Sequence, residues 1–360
     1  MKVTVFNVEQ GDSFLIQHND KSNYPTLLID AGSACKKVYK KIPAVTPNLN
    51  VLITHSHSDH MNGLPDIIKK LPVSHLFLPC YLPEILQIVK ILNIKFSNFS
   101  NTSLDKIKKI PVTLLSSGDY LYPGNNNDFK ILNPQRDLNS LPEKLNSTDN
   151  SELDKVINKL NELGLEVNIN DILDYFPEFF PLRGRNQYII ESREFIKRVF
   201  ETMSPFVFKA TVKNIRKKIR THLNLISNHT SIVFRCNIQS KNNDCISWLF
   251  TGDADKDSFE KIIANDVVSL QNVNVLKVPH HGSNENMDAY ILSIINPFYA
   301  VVSHNNRSGN AKDPHPNQDI INILDNQCVN VFYTNDVKKD DIVIKTCSHT
   351  GIFKTLFDFC

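Results

Sequence analysis

Thr54-His55-Ser56-His57-Ser58-Asp59-His60 places three histidines and a carboxylate within six residues, directly behind the apolar run Val51-Leu52-Ile53. An apolar run that ends in such a loop reads as a buried strand delivering side chains to a sheet edge. Alternate residues His55 and His57 can face one ion while Asp59 and His60 turn toward a neighbouring point. Imidazole and carboxylate suit zinc and related divalent ions, and two such ions bridged by water make a hydrolytic centre. The plainer alternative is a polar surface loop. With 12 histidines in 360 residues, chance scatter rarely produces this spacing.

Working outward, the composition is that of a globular chain. Apolar residues make up 41% and charged residues 22%, and no uninterrupted apolar run approaches the roughly 18 residues of a membrane span. The opening Met1-Lys2-Val3-Thr4-Val5-Phe6 lacks the apolar core of a signal peptide, so the expected location is cytoplasmic, with no membrane partner. The seven cysteines are scattered and never spaced as CxxC, which argues against both a disulfide framework and a cysteine zinc site. A net charge of +2 excludes no partner class by itself. No GxxxxGK[ST] loop is present, which argues against an ATPase.

Strand patterns at Val3–Val5, Ser13–Gln17, Thr26–Asp30 and Asn50–Ile53 lead to the histidine loop. Helix then alternates with strand: helix at Leu64–Lys70 and Pro83–Leu92, strand at Val73–Leu78, Val112–Leu115 and Phe129–Leu132. Near Gln135 the character changes to polar and then helical sequence, with helices expected at Ser151–Leu163, Ser192–Met203 and Lys209–Leu223. We read 135–221 as a helical basic insertion between two halves of one domain, 1–134 and 222–360. Beyond it, strands at Ser231–Cys236, Trp248–Thr251, Asn274–Val278 and Ala300–Ser303 interleave with helices at Asp257–Ala264, Asn286–Ile295 and Asn317–Asn326. Such alternation at both ends predicts an α/β architecture of layered sheets covered by helices.

Two metals need more ligands than the first cluster supplies. Further candidates also lie where strands end or begin: Asp253 after Trp248–Thr251, His280 and His281 after Asn274–Val278, His229 before Ser231–Cys236, and Asp30 after Thr26–Ile29. Asp253 stands where it can bridge both ions. Each alone is weak, because a single histidine is more often an ordinary hydrogen-bonded group; the ordered set is strong.

This set resembles the metallo-beta-lactamase fold. The residues that carry the likeness are Asn7-Val8-Glu9-Gln10-Gly11-Asp12-Ser13, Ile29-Asp30-Ala31-Gly32, the HxHxDH loop with Asn62-Gly63, Thr251-Gly252-Asp253 and Val278-Pro279-His280-His281-Gly282-Ser283. More narrowly it is similar to the hydrolase domain of the ComEC/Rec2-type competence proteins in a stand-alone form. The likeness covers about residues 1–133 and 222–350. It implies an αββα sandwich with a dinuclear site of Zn²⁺ or Mn²⁺ at one edge of the sheets. His55 and His57 would hold the first metal, Asp59 and His60 the second, and Asp253 would bridge them. One of His280 and His281 would complete the second metal, and the sequence leaves open which. Many family members place a first-metal histidine at His229, while the nearer relatives show an Asn-x-x-Ser pattern, which Asn228 and Ser231 satisfy. Asp30 is expected to orient a ligating histidine rather than touch metal. His315, in a His-Pro motif, is expected to contact phosphate or protonate a leaving group, alongside whichever of His280 and His281 is spare; His304 is either a second such residue or a packing residue.

The reaction this implies is hydrolysis by a metal-activated hydroxide, with Asp59 also orienting the water and a histidine as general acid. The resemblance points to phosphodiesters, DNA first. Residues 183–220 add modest independent support, with 11 basic residues against three acidic ones. On the expected helix Lys209–Leu223, Val212, Ile215, Ile219 and Leu223 would share a buried face while Lys213, Arg216, Lys217 and Arg220 formed a solvent stripe able to follow a phosphate backbone. That stripe is equally readable as a solvated face or a docking surface for an acidic protein. Two alternatives to a nuclease stand: hydrolysis of a small phosphodiester or ester, and a binding subunit whose site is idle or partner-activated.

Overall fold

In the strand Leu27–Ile29 every residue is buried, yet its neighbours point to different cores: Leu27 and Ile29 join one apolar cluster and Leu28 another. A strand covered on both faces has no reason to alternate with polar residues, which is why the strands read as continuous apolar runs. The same logic builds the molecule. The protein is described by a computed structural model over residues 2–18, 24–43, 48–92, 110–123, 128–136, 153–168, 185–239, 245–304, 315–334, 341–345 and 354–355.

The first sheet contains β1 (Lys2–Val5), β2 (Phe14–Gln17), β3 (Leu27–Ile29), β4 (Leu49–Leu52), β5 (Val73–Pro79), β6 (Val112–Leu115), β13 (Ile342–Lys345) and β14 (Lys354–Thr355), in the order β14-β13-β1-β2-β3-β4-β5-β6. The second contains β7 (Phe129–Asn133), β8 (Val233–Gln239), β9 (Cys245–Phe250), β10 (Val275–Lys277), β11 (Tyr299–Val302) and β12 (Asn330–Tyr333), in the order β12-β11-β10-β9-β8-β7. Between the sheets lies a core that includes Phe14, Phe77, Phe234, Trp248 and Phe250. Helices α1 (Ser58–Met61), α2 (Leu64–Lys70) and α3 (Leu82–Ile91) cover the outer face of the first sheet through Met61, Leu64, Ile67 and Leu82. The outer face of the second is covered by α8 (Lys256–Asp266), α9 (Ala289–Ile295) and α10 (Gln318–Asn326), through Phe259, Ile291 and Leu324. The expected αββα layering is therefore observed. Strands β12, β13 and β14 lie beyond the sequence reading; β13 is four residues long and is defined by its antiparallel pairing with β1, a contact local pattern cannot foresee.

The insertion contributes α4 (Leu153–Glu162), α5 (Arg185–Glu201), α6 (Ser204–Val207) and α7 (Ile215–His229). Helix α7 runs through the expected 221/222 boundary, so no join exists at that point. It also begins six residues later than expected: Lys209–Asn214 lie outside the helix, and Val212, expected on the buried face, is 67% exposed. Its buried face is instead Ile215, Ile219, Leu223 and Ile226. The insertion's aromatic-rich stretch Tyr175-Phe176-Pro177-Glu178-Phe179-Phe180-Pro181 lies outside the described residues. Insertion helices and α3 share one apolar cluster, in which Ile85 and Ile88 of α3 meet Val156, Phe195, Val199, Ile219 and Leu223. Since α3 also covers the first sheet, the insertion is packed onto the sandwich rather than tethered to it. Among the described residues, no helix is long and apolar enough to cross a membrane.

His222 of α7 is buried in this cluster, its Nε2 3.1 Å from Thr202 Oγ1 and 3.3 Å from Val199 O. Burial lowers its pKa to about 4. The folded chain keeps this ring neutral down to about pH 4, whereas the unfolded chain protonates it near 6.5, so the unfolded state takes up more protons in between. Stability should therefore fall as pH drops through that window, by on the order of 3 kcal/mol at its foot. Denaturant melts at pH 7 and pH 4.5 check this: His222→Gln should flatten the slope, and an unchanged slope would refute the assignment.

Candidate metal centre

Asp253 stands three residues beyond the end of β9, in a turn whose Gly252 has φ +49°. A Cβ at Gly252 would overlap Ser231 Oγ, so only glycine lets the turn lie against the segment after α7. Gly11, at φ +120°, similarly packs where a Cβ would overlap the carbonyl oxygen of Asp59. These two close approaches bring the β1–β2 loop, the histidine loop and the β9 turn to one edge of the sandwich.

Four imidazoles converge on one oxygen there. Nε2 atoms of His60, His55, His280 and His281 lie 3.4, 3.5, 3.8 and 3.9 Å from Asp253 Oδ2. In each ring Nδ1 is already used. His60 Nδ1 donates to Asp30 Oδ2 (2.8 Å), His281 Nδ1 to Ser303 O (2.7 Å) and His280 Nδ1 to Asn286 Oδ1 (2.8 Å). Thr54 Oγ1 donates to Asp30 Oδ2, so His55 Nδ1, 3.0 Å from Thr54 Oγ1, donates to it in turn. A ring whose Nδ1 carries the proton presents the bare Nε2 lone pair. The Nε2 atoms of His55, His60 and His281 are buried without a hydrogen-bond partner among the described residues. Buried nitrogens left so are costly unless a ligand takes them. The donor set of imidazoles and carboxylates fits divalent metal ions.

Among the described residues three groups of donors have the spacing of metal ligands, each set lying within 4.8 Å: His55, His60 and Asp253; Asp59, His60 and His281; and Asp12, Asp30 and His60, of which Asp12 is already paired with Lys277 and Asp30 with His60 Nδ1 and Thr54. His57 is the residue before α1, its ring centroid 4.6 Å from that of His55. Of the two histidines left open by the sequence, the structure brings His281 to Asp59, at 3.5 Å, and leaves His280 at the partly exposed rim. His280 and His281 both have left-handed φ, +46° and +55°. This uncommon backbone turns successive rings toward the centre from different sides. His315 lies beside His280, ring centroids 5.3 Å apart. His304 packs edge-on against Tyr333 and is 2% exposed.

Asp30 is buried and accepts from His60 Nδ1 (2.8 Å), Thr54 Oγ1 (2.8 Å) and Thr54 N (2.7 Å). Burial opposes the charge on His60, but the carboxylates of Asp253, Asp30 and Asp59 outweigh it and hold its pKa well above the ordinary value. Asp59 is also held well below the usual carboxylate range, burial being outweighed by His60 and His281.

His229, a candidate first-metal ligand in the sequence, belongs to none of these donor groups. It ends α7, and its Nδ1 lies 3.0 Å from Asp255 Oδ1, the N-cap of α8, with Ser258 Oγ 3.2 Å away. Those partners hold it in the second sheet's helix layer rather than in any of the donor groups. Beside the centre stand the residues of the alternative pattern. Ser231 Oγ accepts from Asp253 N at 3.1 Å and lies 3.5 Å from His55 Nδ1, and Asn228 Oδ1 is buried without a hydrogen-bond partner among the described residues. Ser227 and Ser56 hydroxyls are 2.7 Å apart, so the C-terminal end of α7 presses on the histidine loop.

The sequence reading missed Lys277. Its Nζ is buried at the centre, 2.5 Å from Asp12 Oδ2 and 3.6 Å from Asp253 Oδ1. The signal was present: a lysine inside an apolar strand just before Val278-Pro279-His280-His281, with Asp12 already in a quoted motif.

Residues 6–76 match the family model of the metallo-beta-lactamase superfamily. Similar solved structures include YhfI of Bacillus subtilis, a metallo-beta-lactamase fold protein, at 12% identity and TM-score 0.40, over 95% of this chain and 98% of that one. MEM-A1, a subclass B3 metallo-beta-lactamase from a soil metagenome library, aligns at 10% identity and TM-score 0.35, over 77% and 76%. The long form RNase Z from yeast aligns at 10% identity and TM-score 0.38, over 85% of this chain and 36% of that one. A search of curated proteins found no match.

Proposed function

We propose that this chain of metallo-beta-lactamase fold is a metal-dependent phosphodiesterase that cleaves nucleic acid, DNA first. One observation carries the hydrolase reading: the Nε2 atoms of four imidazoles, each ring fixed by a hydrogen bond at the opposite nitrogen, converge on Asp253 Oδ2. His55, His57 and Asp253 would hold one divalent ion, and Asp59, His60, His281 and Asp253 the other. Bound there, such ions supply a hydroxide nucleophile near neutral pH and offset charge developing on a phosphoryl group. The chain's own residues do the rest. Asp59 Oδ2 accepts a hydrogen bond from the attacking water and orients it. His280, whose Nδ1 is tied to Asn286, keeps Nε2 available at the rim beside His315, and this pair holds the proton for the leaving oxygen.

Support for a polynucleotide comes from α7 and from the resemblance to the competence-type hydrolase domain. Between Thr202 and His229 the chain has six basic residues and no acidic one. Lys213, Arg216 and Lys217 are exposed and Arg220 is half-buried. From Arg216 to Asn228 the helix rises about 18 Å, a span of several nucleotides from the centre. A phosphate backbone running along α7 would meet the basic residues at one end and the metals at the other.

The test is cleavage of single- and double-stranded DNA, RNA and small phosphodiesters with Mn²⁺ or Zn²⁺, beside a variant with Lys213, Arg216, Lys217 and Arg220 changed to Gln. If all four meet phosphates, the variant should bind polynucleotide more weakly, with a slope of log K against log salt reduced by about 3. Unchanged binding and slope would refute the nucleic-acid role of the stripe. Activity confined to small diesters would replace the nuclease with a small-molecule hydrolase.

A further inference from the structure

We infer that Lys277 is the positioning residue that makes Asp253 a bridging ligand, an inference resting on the two-metal reading above. Lys277 closes β10, a central strand of the second sheet. Val275 points into the space between the sheets and Leu276 into the helix layer, so strand alternation returns Lys277 to the inter-sheet side. It is 1% exposed. Its ammonium is held by Asp12 Oδ2 at 2.5 Å and donates to Gly252 O at 2.7 Å, with Asp253 Oδ1 at 3.6 Å. Asp12 belongs to the β1–β2 loop of the first sheet, and its Oδ1 accepts from Ser303 Oγ, just past β11. Ser303, Asp12, Lys277 and the 252–253 turn thus form one chain of contacts across both sheets.

Stability does not explain this arrangement. Desolvating an ammonium and a carboxylate costs several kcal/mol, and a buried ion pair returns little over a well-packed apolar pair. What the arrangement does is local. Lys277 fixes the carbonyl of Gly252 and attracts Oδ1 of Asp253, leaving Oδ2 as the oxygen that faces His55, His60, His280 and His281. A carboxylate held this way would offer Oδ2 to both the His55 and the His281 donor groups instead of turning both oxygens to one. Asp12 keeps the ammonium from swinging onto Oδ2, and it lies 3.7 Å from His281 Nδ1 and 3.8 Å from His60 Nδ1.

The experiment compares wild type with the charge-balanced double variant K277M/D12N, titrated with Mn²⁺ and Zn²⁺ by calorimetry, with thermal unfolding of the metal-free proteins in parallel. Affinity for the weaker of the two ions is expected to fall by about 10- to 100-fold, while the metal-free Tm holds or rises. A double variant that binds both ions as wild type does would overturn the role of Lys277. Should the double variant not fold, S303A decides in the same titration, because it loosens Asp12 without changing any charge. There the weaker ion is expected to lose several-fold in affinity, and unchanged affinity overturns the inference. A wild-type chain that takes up no divalent ion would instead overturn the metal-centre reading, and this inference with it.

Discussion

Asp253→Asn is expected to strip the centre of metal and to lower hydrolysis by about 10³-fold or more. The carboxylate lies within 4 Å of four imidazole Nε2 atoms, and an amide removes its charge while giving those rings a competing N–H. Elemental analysis of dialysed protein reads the first effect and the substrate panel the second. His229→Ala belongs in the same measurement. Since its ring is bound to Asp255 and Ser258, its metal content should equal that of wild type. Full metal content in Asp253→Asn, or metal loss confined to His229→Ala, would refute the assignment of the centre. The uptake should also depend on pH. In the metal-free chain His60 keeps a proton well above the ordinary value, because the carboxylates around it outweigh its burial, so binding must displace that proton and affinity should rise with pH.

The second large effect is expected far from the metals. Phe195 of α5 is fully buried and stacks on Tyr81, with ring centroids 4.2 Å apart and planes 1° from parallel. Phe195→Ala should destabilise the protein by about 3–5 kcal/mol, as large-to-small changes in packed cores do. Because Tyr81 adjoins α3, and α3 covers the first sheet, that loss should move a single cooperative unfolding transition rather than melt the insertion alone. Denaturant melts followed by circular dichroism and by intrinsic fluorescence check this. Fluorescence reports Trp248, fully buried between the sheets. Two separated transitions, with only the helical signal shifted, would show that the insertion unfolds independently.

The coupling gives α7 a double part. Its apolar face is set by Ile215, Ile219, Leu223 and Ile226, while its end touches Ser56 of the histidine loop through Ser227. The insertion is therefore part of the wall of the site. Its basic residues and the end that touches the histidine loop share one helix.

Local pattern was enough for most of the sandwich. Leu64–Lys70 and Val112–Leu115 were legible to the residue, because an amphipathic turn or a short apolar run between breakers has few other readings. The start of α7 was not: Val212 continues the apolar spacing perfectly well, yet the chain turns at Thr211–Asn214, where Asn214 Oδ1 accepts from Thr211 N. The histidines were legible as a set because clustered imidazoles at strand ends are rare. Which of His280 and His281 meets Asp59 was not, since two adjacent residues with left-handed φ point in directions that no periodicity encodes.

By itself, then, the sequence determined the layered fold and a set of imidazole and carboxylate donors at strand ends, because hydrophobic period and donor type are local properties. Tertiary structure alone decided what each donor meets. It turned His229 away to Asp255, brought His281 rather than His280 to Asp59, and buried Lys277 against Asp12, 265 positions apart in the chain (277 − 12). Those outcomes depend on how two sheets and a helix end meet at one edge, where the free energy of a buried charge or an orphaned nitrogen is set by neighbours distant in sequence.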